Sequence, residues 1–264
     1  MSWDGRFILY WPLHSTHTPW MLCKCLLSGG FKAVWFSNHY DREIDRLPLL
    51  IRMCKRFGVE VIYSRWLWPG SVGDNVEKAV YWHWMRKEAI AQQIALVQSR
   101  AAELGCLSAV DPEVYNGYKA WSTSELLDPF SYEWLVKQVD GLTSPVDYAI
   151  GGFWARSATL PIKAFHKLGV HTIIDRTYYR GPDYGSIIPA CDRYSDEIEH
   201  PWAGGQIVVS DTPQPLGGSS STTWTLDTLD EACEVLEGKE ILLYLARSDH
   251  PERVVDGLLE RSRG

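Results

Sequence analysis

Residues 104–117 read LGCLSAVDPEVYNG, and within a few positions the pattern changes character. Upstream, VEKAVYWHWMRKEAIAQQIALVQSRAAELG (76–105) repeats its apolar side chains at helical spacing and stops at Gly105, a residue type that readily closes a helix. Downstream, CLSAVDPE (106–113) is short and apolar until it ends in two acids, Asp111 and Glu113. That is how a strand buried on both faces of a parallel sheet reads, up to its polar end. A long helix that feeds a buried strand is half of a βαβ unit, and the rest of the chain keeps the same rhythm.

Towards the N-terminus, RFILYWPLH (6–14), KAVWFSNH (32–39) and VEVIYSRWLW (59–68) read as strands. PWMLCKCLLSGG (19–30) and REIDRLPLLIRMCKRFG (42–58) read as the helices between them, ended by glycine. Towards the C-terminus, VDYAIGGFWAR (146–156), VHTIIDRTYY (170–179), GQIVVSD (205–211) and EILLYLARS (240–248) continue the strands. SYEWLVKQVDGL (131–142), LPIKAFHKLG (160–169), TLDEACEVLEG (228–238) and PERVVDGLLERS (251–262) supply helices. Eight strands alternating with helices in 264 residues predict one (β/α)8 TIM barrel, an α/β fold spanning residues 1–264 as a single domain. Arg180 to Gly204 is irregular enough to predict a long loop, and GGSSSTT (217–223) predicts a flexible surface connection. The competing open, doubly wound sheet carries a glycine-rich phosphate turn after its first strand when it binds nucleotides. Here that turn is YWPLHSTHTP, with neither GxGxxG nor GxxxxGK[ST].

Composition narrows the partners. A formal charge of −7 argues against nucleic acid or an anionic membrane surface. No apolar run approaches the roughly 20 residues of a membrane span, and MSWDGRFILYW lacks the features of a signal peptide, so the expectation is cytoplasmic synthesis. Cys23, Cys25, Cys54, Cys106, Cys191 and Cys233 form no CxxC pair and read as free thiols in apolar surroundings. The unusual count is 13 Trp with 13 Tyr: indole needs a partner for its N–H, so some rings are expected at a binding surface and others in the core.

In a barrel the reactive face lies at the C-terminal ends of the strands. Those ends carry Trp11 and His14, Trp35 and Asn38, then Arg65, Trp66 and Trp68. Further on come Asp111, Glu113 and Tyr115, Trp154 and Arg156, Asp175 and Tyr178, Asp211, and finally Arg247 and Asp249. Asp111 and Glu113 lie two positions apart, about 6.5 Å along an extended backbone, and share one face of it. Two carboxylates that close push one pKa upward, which makes a proton donor beside a charged partner. The same acids also fit two plainer roles, capping the next loop or helix, or pairing with Arg65 or Arg156. A metal centre built on His14, His17 and Asp211 lacks the histidines that strands five and six would have to supply, and His166 and His171 precede the end of strand six. No metal and no cofactor are therefore expected.

AVDPEVY resembles the fourth-strand motif of TIM-barrel glycoside hydrolases that act on N-acetylhexosamine polymers, the D-x-D-x-E of family-18 chitinases and the D-x-E of family-25 lysozymes. The resemblance covers this motif and the barrel rhythm. It implies Glu113 as proton donor and Asp111 as support for the substrate acetamido group or for the acid. IIDRTYY on strand six is similar to the place where such enzymes carry a further acid, which implies Asp175 as base or nucleophile. The expected activity is hydrolysis of a polysaccharide, peptidoglycan or chitin-like, with Trp11, Trp35, Trp66, Trp68, Trp154, Tyr115 and Tyr178 against the sugars and Arg65, Arg156 and Asp211 contributing polar contacts. The alternative is a carbohydrate-binding or structural barrel without catalysis. Without an export signal, a phage-type lysin or particle component, or a glycan-recycling enzyme, fits the hydrolytic expectation.

Overall fold

The computed structural model describes residues 5–13, 17–38, 45–66, 94–111, 146–151, 170–174, 202–215, 222–245 and 251–261. Eight strands close into one parallel barrel in chain order. They are β1 (Phe7–Pro12), β2 (Phe31–Asn38), β3 (Glu60–Trp66), β4 (Leu107–Asp111), β5 (Tyr148–Gly151), β6 (His171–Ile174), β7 (Gly204–Val208) and β8 (Glu240–Tyr244). Each coincides with a stretch whose apolar, β-branched or aromatic composition predicts a strand, β2 and β7 starting one residue before it. The (β/α)8 barrel expected from the alternation is the fold.

The strands are apolar on both faces because both are covered. Ile8, Tyr10, Ala33, Trp35, Ile62, Ala109, Tyr148, Ile150, Ile173 and Leu242 fill the barrel interior. Their neighbours in sequence, including Phe7, Leu9, Trp11, Val34, Phe36, Val61, Tyr63, Ile241 and Leu243, turn outward into a second core beneath the helices. This period of two is what closes the sheet on itself with a packed centre.

Helix α1 (Pro19–Leu27) starts where Thr18 caps it, the Met21 N–H donating to Thr18 Oγ1 at 3.3 Å, and it buries Met21, Leu22, Cys25 and Leu26. Helix α2 (Leu47–Arg56) buries Leu47, Leu50, Ile51 and Cys54 at i, i+3, i+4, i+7 spacing. Residues 94–104 form α3, the described end of the long helical pattern, with Ile94, Val97 and Ala101 buried. A 3-10 turn (Leu226–Thr228) leads into α4 (Leu229–Val235), and α5 (Pro251–Arg261) closes the chain against α1, where Lys24 pairs with Asp256.

Gly105 and Gly204 are each required by close approach, Gly105 by backbone sign as well. Gly105 ends α3 at φ 64°, and a Cβ there would lie 2.9 Å from Lys55 Nζ. Gly204 opens β7 so close to β8 that a Cβ would meet the Glu240 carbonyl oxygen at 2.2 Å.

Two loop expectations need correction where they touch described residues. Thr223, the last residue of GGSSSTT, is 2 % exposed, and Thr222 pairs in a bridge with Pro215. Hydrogen bonds to a neighbouring strand end outweigh the flexible composition there. At the end of the Arg180–Gly204 stretch, Trp202 is 2 % exposed and Gly204 already belongs to β7. Of the cysteines, Cys25 and Cys54 are buried free thiols, Cys23, Cys106 and Cys233 are free and half-buried, and Cys191 lies outside the described residues. Among the described residues no helix is long and apolar enough to cross a membrane.

Candidate functional site

The upper interior of the barrel is built on β2, β3 and β4. Trp35 lies across its middle, 0 % exposed, its Nε1–H donating to Ser64 Oγ at 2.6 Å. Its ring meets Tyr148 edge-on at 5.7 Å and Tyr10 tilted at 6.4 Å, and Tyr10 in turn meets Tyr244 edge-on at 4.9 Å. Interlocked aromatic edges of this kind fix ring positions. Above this floor Ser37, Ser64 and Ala109 stand side by side in register, and two residues further along their strands Trp66 and Asp111 form the last β3–β4 pair.

At the end of β7 the chain is tied down. Trp224 pairs in parallel with Val209, the Trp224 N–H donating to the Val208 carbonyl at 2.9 Å and the Ser210 N–H to the Trp224 carbonyl at 3.0 Å. Ser210 Oγ, wholly buried, bonds Thr223 Oγ1 and donates to the Thr212 carbonyl at 2.7 Å. The Gln214 N–H reaches Thr223 Oγ1 at 2.9 Å. Asp211, half-buried, sits inside this knot, so its backbone is held at the mouth of the barrel.

The opposite mouth carries a different set. Lys32 on β2 pairs with Glu240 Oε1 on β8 and lies 3.4 Å from the Tyr148 hydroxyl on β5, which is 3.5 Å from the same carboxylate oxygen. His171 on β6 lies against the Tyr148 ring at 5.2 Å. Burial works to lower the Lys32 pKa, but the hydrogen bond and charge of Glu240, with Tyr148, outweigh it and the net shift is upward. Burial and then the Glu240 charge push the Tyr148 hydroxyl up, partly offset by Lys32. Beside it, Asp147 Oδ2 accepts from the Ser108 N–H at 2.7 Å and its hydroxyl at 2.8 Å, which joins the starts of β4 and β5. At the N-terminal ends of barrel strands such clusters read as stability.

These placements sort the residues expected from the sequence. Trp11 shares the outer face of β1 with Phe7 and Leu9, is 1 % exposed and packs on His17 at 5.0 Å between ring centres. Trp35 is the barrel's central plug. Both rings are almost wholly buried. The reason is that each lies inside its strand, where the period of two commits it to one of two packed layers. Arg65 falls in the outward series of Val61 and Tyr63 and in register with Asn38 and Val110. Asp111 and Trp66 are the terminal residues of β4 and β3. Glu113, Asp175, Trp68, Tyr115, Trp154, Arg156 and Tyr178 lie outside the described residues. Among the described residues no group of His, Cys, Asp and Glu could hold a metal ion. His17 belongs to the outer core, and Asp211 follows β7.

Sequence reading passed over Ser37 and Ser64. Short side chains at alternate positions of apolar runs carry no individual signal, and their alignment depends on the β2–β3–β4 register. Lys32, Tyr148 and Glu240 were equally silent, since 116 and 92 residues separate Tyr148 from its two partners.

No protein-family profile matches the chain, and no curated protein matches it. Among solved structures it is similar to the Bacillus cereus spore cortex-lytic enzyme SleL, with 10% identity, TM-score 0.49, and coverage of 83% of this chain and 55% of that one. It is also similar to an uncharacterised B. cereus protein (11% identity, TM-score 0.49, coverage 97% and 64%). A third similarity is to the 2-keto-3-deoxy-6-phosphogluconate aldolase of Zymomonas mobilis (12% identity, TM-score 0.43, coverage 98% and 90%). The chain thus spans between half and two thirds of the length of the first two. At these scores and identities the likeness carries no argument about activity.

Proposed function

We propose that the protein is a glycoside hydrolase that cleaves a polysaccharide containing N-acetylhexosamine, peptidoglycan or chitin-like, with Glu113 as general acid. The observation that carries the reading is the position of Asp111: it is the last residue of β4 in a closed barrel, on the face where barrel enzymes place their chemistry, and Glu113 follows two residues later. In the proposed reaction the Glu113 carboxyl gives its proton to the glycosidic oxygen as the bond to the anomeric carbon breaks. Asp111, or the acetamido oxygen of the substrate itself, offsets the positive charge at that carbon, and water completes the hydrolysis. Asp175 is the alternative base or nucleophile. Trp66 on β3 stands in backbone register with Asp111 and is proposed as a sugar contact beside it.

The test is turnover of peptidoglycan, chitin and a plain glucan by the purified protein beside Glu113→Gln. The reading expects hydrolysis of an N-acetylhexosamine polymer, lost in the variant while binding and fold persist. An unchanged rate in Glu113→Gln overturns the assignment, and binding without hydrolysis by the unaltered chain favours a carbohydrate-binding barrel without catalysis.

A further inference from the structure

Ser37 is 0 % exposed, and its hydroxyl has no hydrogen-bond partner. Every other buried serine and threonine among the described residues has one. Ser28 donates to the Cys25 carbonyl, Ser64 accepts from Trp35, Ser108 bonds Asp147, and Thr172 donates to the Val170 carbonyl. Ser210 bonds Thr223, and Thr225 meets Thr228. A hydroxyl withdrawn from water without a partner is destabilising, and alanine would fit the same backbone without that cost. Packing therefore gives no reason for a hydroxyl at position 37.

Its position does. Ser37 lies two residues beyond Trp35 on β2, on the strand face that lines the barrel, so its side chain points into the upper interior. Beside it the wall is cut short: Ser64 on β3 and Ala109 on β4 continue the same register row with side chains of one or two heavy atoms. Beneath is the indole of Trp35, immobilised by its bond to Ser64 and by two aromatic contacts. Two residues beyond Ser64 and Ala109 the strands end at Trp66 and Asp111. The described side chains of this row, serine, serine and alanine over an indole, are all uncharged, so the row suits a neutral polar group.

We propose that the row Ser37–Ser64–Ala109 is a ligand subsite in which Ser37 Oγ hydrogen-bonds an oxygen of the bound glycan, a ring hydroxyl or an acyl carbonyl, over the floor made by Trp35. The proposal rests on the carbohydrate reading above and adds to it the wall that holds the sugar and the atom that grips it.

The experiment compares Ser37→Ala with the unaltered chain by calorimetric titration with an N-acetylglucosamine tetramer and a glucose tetramer, each also in the Glu113→Gln background so that turnover does not consume the ligand. Thermal melts run alongside. The expected result is a melting temperature unchanged or raised in Ser37→Ala, with affinity weakened about three- to tenfold, the size of one lost hydrogen bond. Weakening for the N-acetylglucosamine oligomer alone assigns the acyl carbonyl, and weakening for both assigns a ring hydroxyl. Equal affinities of the two chains for every oligomer that the unaltered chain binds overturn the subsite and leave the carbohydrate reading standing. A lowered melting temperature also overturns it, because the hydroxyl then serves the fold. Failure of the unaltered chain to bind either oligomer removes both readings together.

Discussion

The two mouths of the barrel use polar side chains in opposite ways. At the N-terminal mouth Lys32, Tyr148 and Glu240, drawn from three strands, satisfy one another, and Ser108 and Asp147 do the same alongside. Towards the C-terminal mouth the strand ends carry Ser37 with an unpartnered hydroxyl, short neighbours across two strands, and the terminal pair Trp66 and Asp111. Groups that close on each other contribute to stability and leave little for a ligand. Groups that remain open detract from stability, and binding is what compensates for them. Glu240 Oε2, buried and without a partner at the lower mouth, is the point where the contrast is incomplete.

The contrast can be broken from either end. The largest effect is expected at the upper mouth: Glu113→Gln should lower hydrolysis of the N-acetylhexosamine polymer by about 10²–10⁴-fold, read as initial rate, with an unchanged melting curve. Trp35→Phe acts on the floor between the mouths. It removes part of a fully buried ring and leaves Ser64 without the indole N–H, so urea unfolding should show a loss of about 2–3 kcal/mol. At the lower mouth, Lys32→Met strands the Glu240 carboxylate. The pair is only partly buried, with side chains 36% and 17% exposed, so the cost is about 1–2 kcal/mol, below that of a fully buried pair, and glycan affinity should not move. A loss of affinity in Lys32→Met would erase the division of labour between the two ends.

The smallest effect at neutral pH comes from alkali. Burial raises the Cys25 thiol from 9.0 to about 12, and burial with the neighbouring Cys106 raises Cys54 from 9.0 to about 12. Lys32 and Tyr148 are also shifted upward. A group whose folded pKa lies above its unfolded value keeps its full contribution below the unfolded pKa and loses it as pH rises towards the folded one. Stability should therefore be level up to about pH 9 with respect to these groups and fall between about pH 9 and 12. Denaturation midpoints across that range check it, and Cys25→Ala should flatten part of the slope.

Much of the fold was legible because barrel strands announce themselves locally. FILYWP, FKAVWFSN and EILLY are apolar on both faces, and each is followed or preceded by a helix with an apolar stripe and a glycine stop. The site was less legible. Trp11 and Trp35 looked like strand-end rings, yet the strands run to Pro12 and Asn38, which leaves both inside packed layers. Thr223 looked like part of a flexible polar stretch, yet it is pinned by Ser210, thirteen residues earlier. In each case composition was read correctly and the deciding contact came from another strand.

By itself, then, the sequence determined that eight apolar strands and their helices would form a barrel, because strand and helix periods are local properties of the chain. It also placed Asp111 and Glu113 at the end of the fourth strand, and β4 does end at Asp111. Only the tertiary structure decided that Trp35 is the floor of the barrel, that Lys32, Tyr148 and Glu240 close one mouth, and that Ser37, Ser64 and Ala109 line up near the other. Those relations depend on inter-strand register around a closed sheet, and a closed sheet brings together residues that no window along the chain contains.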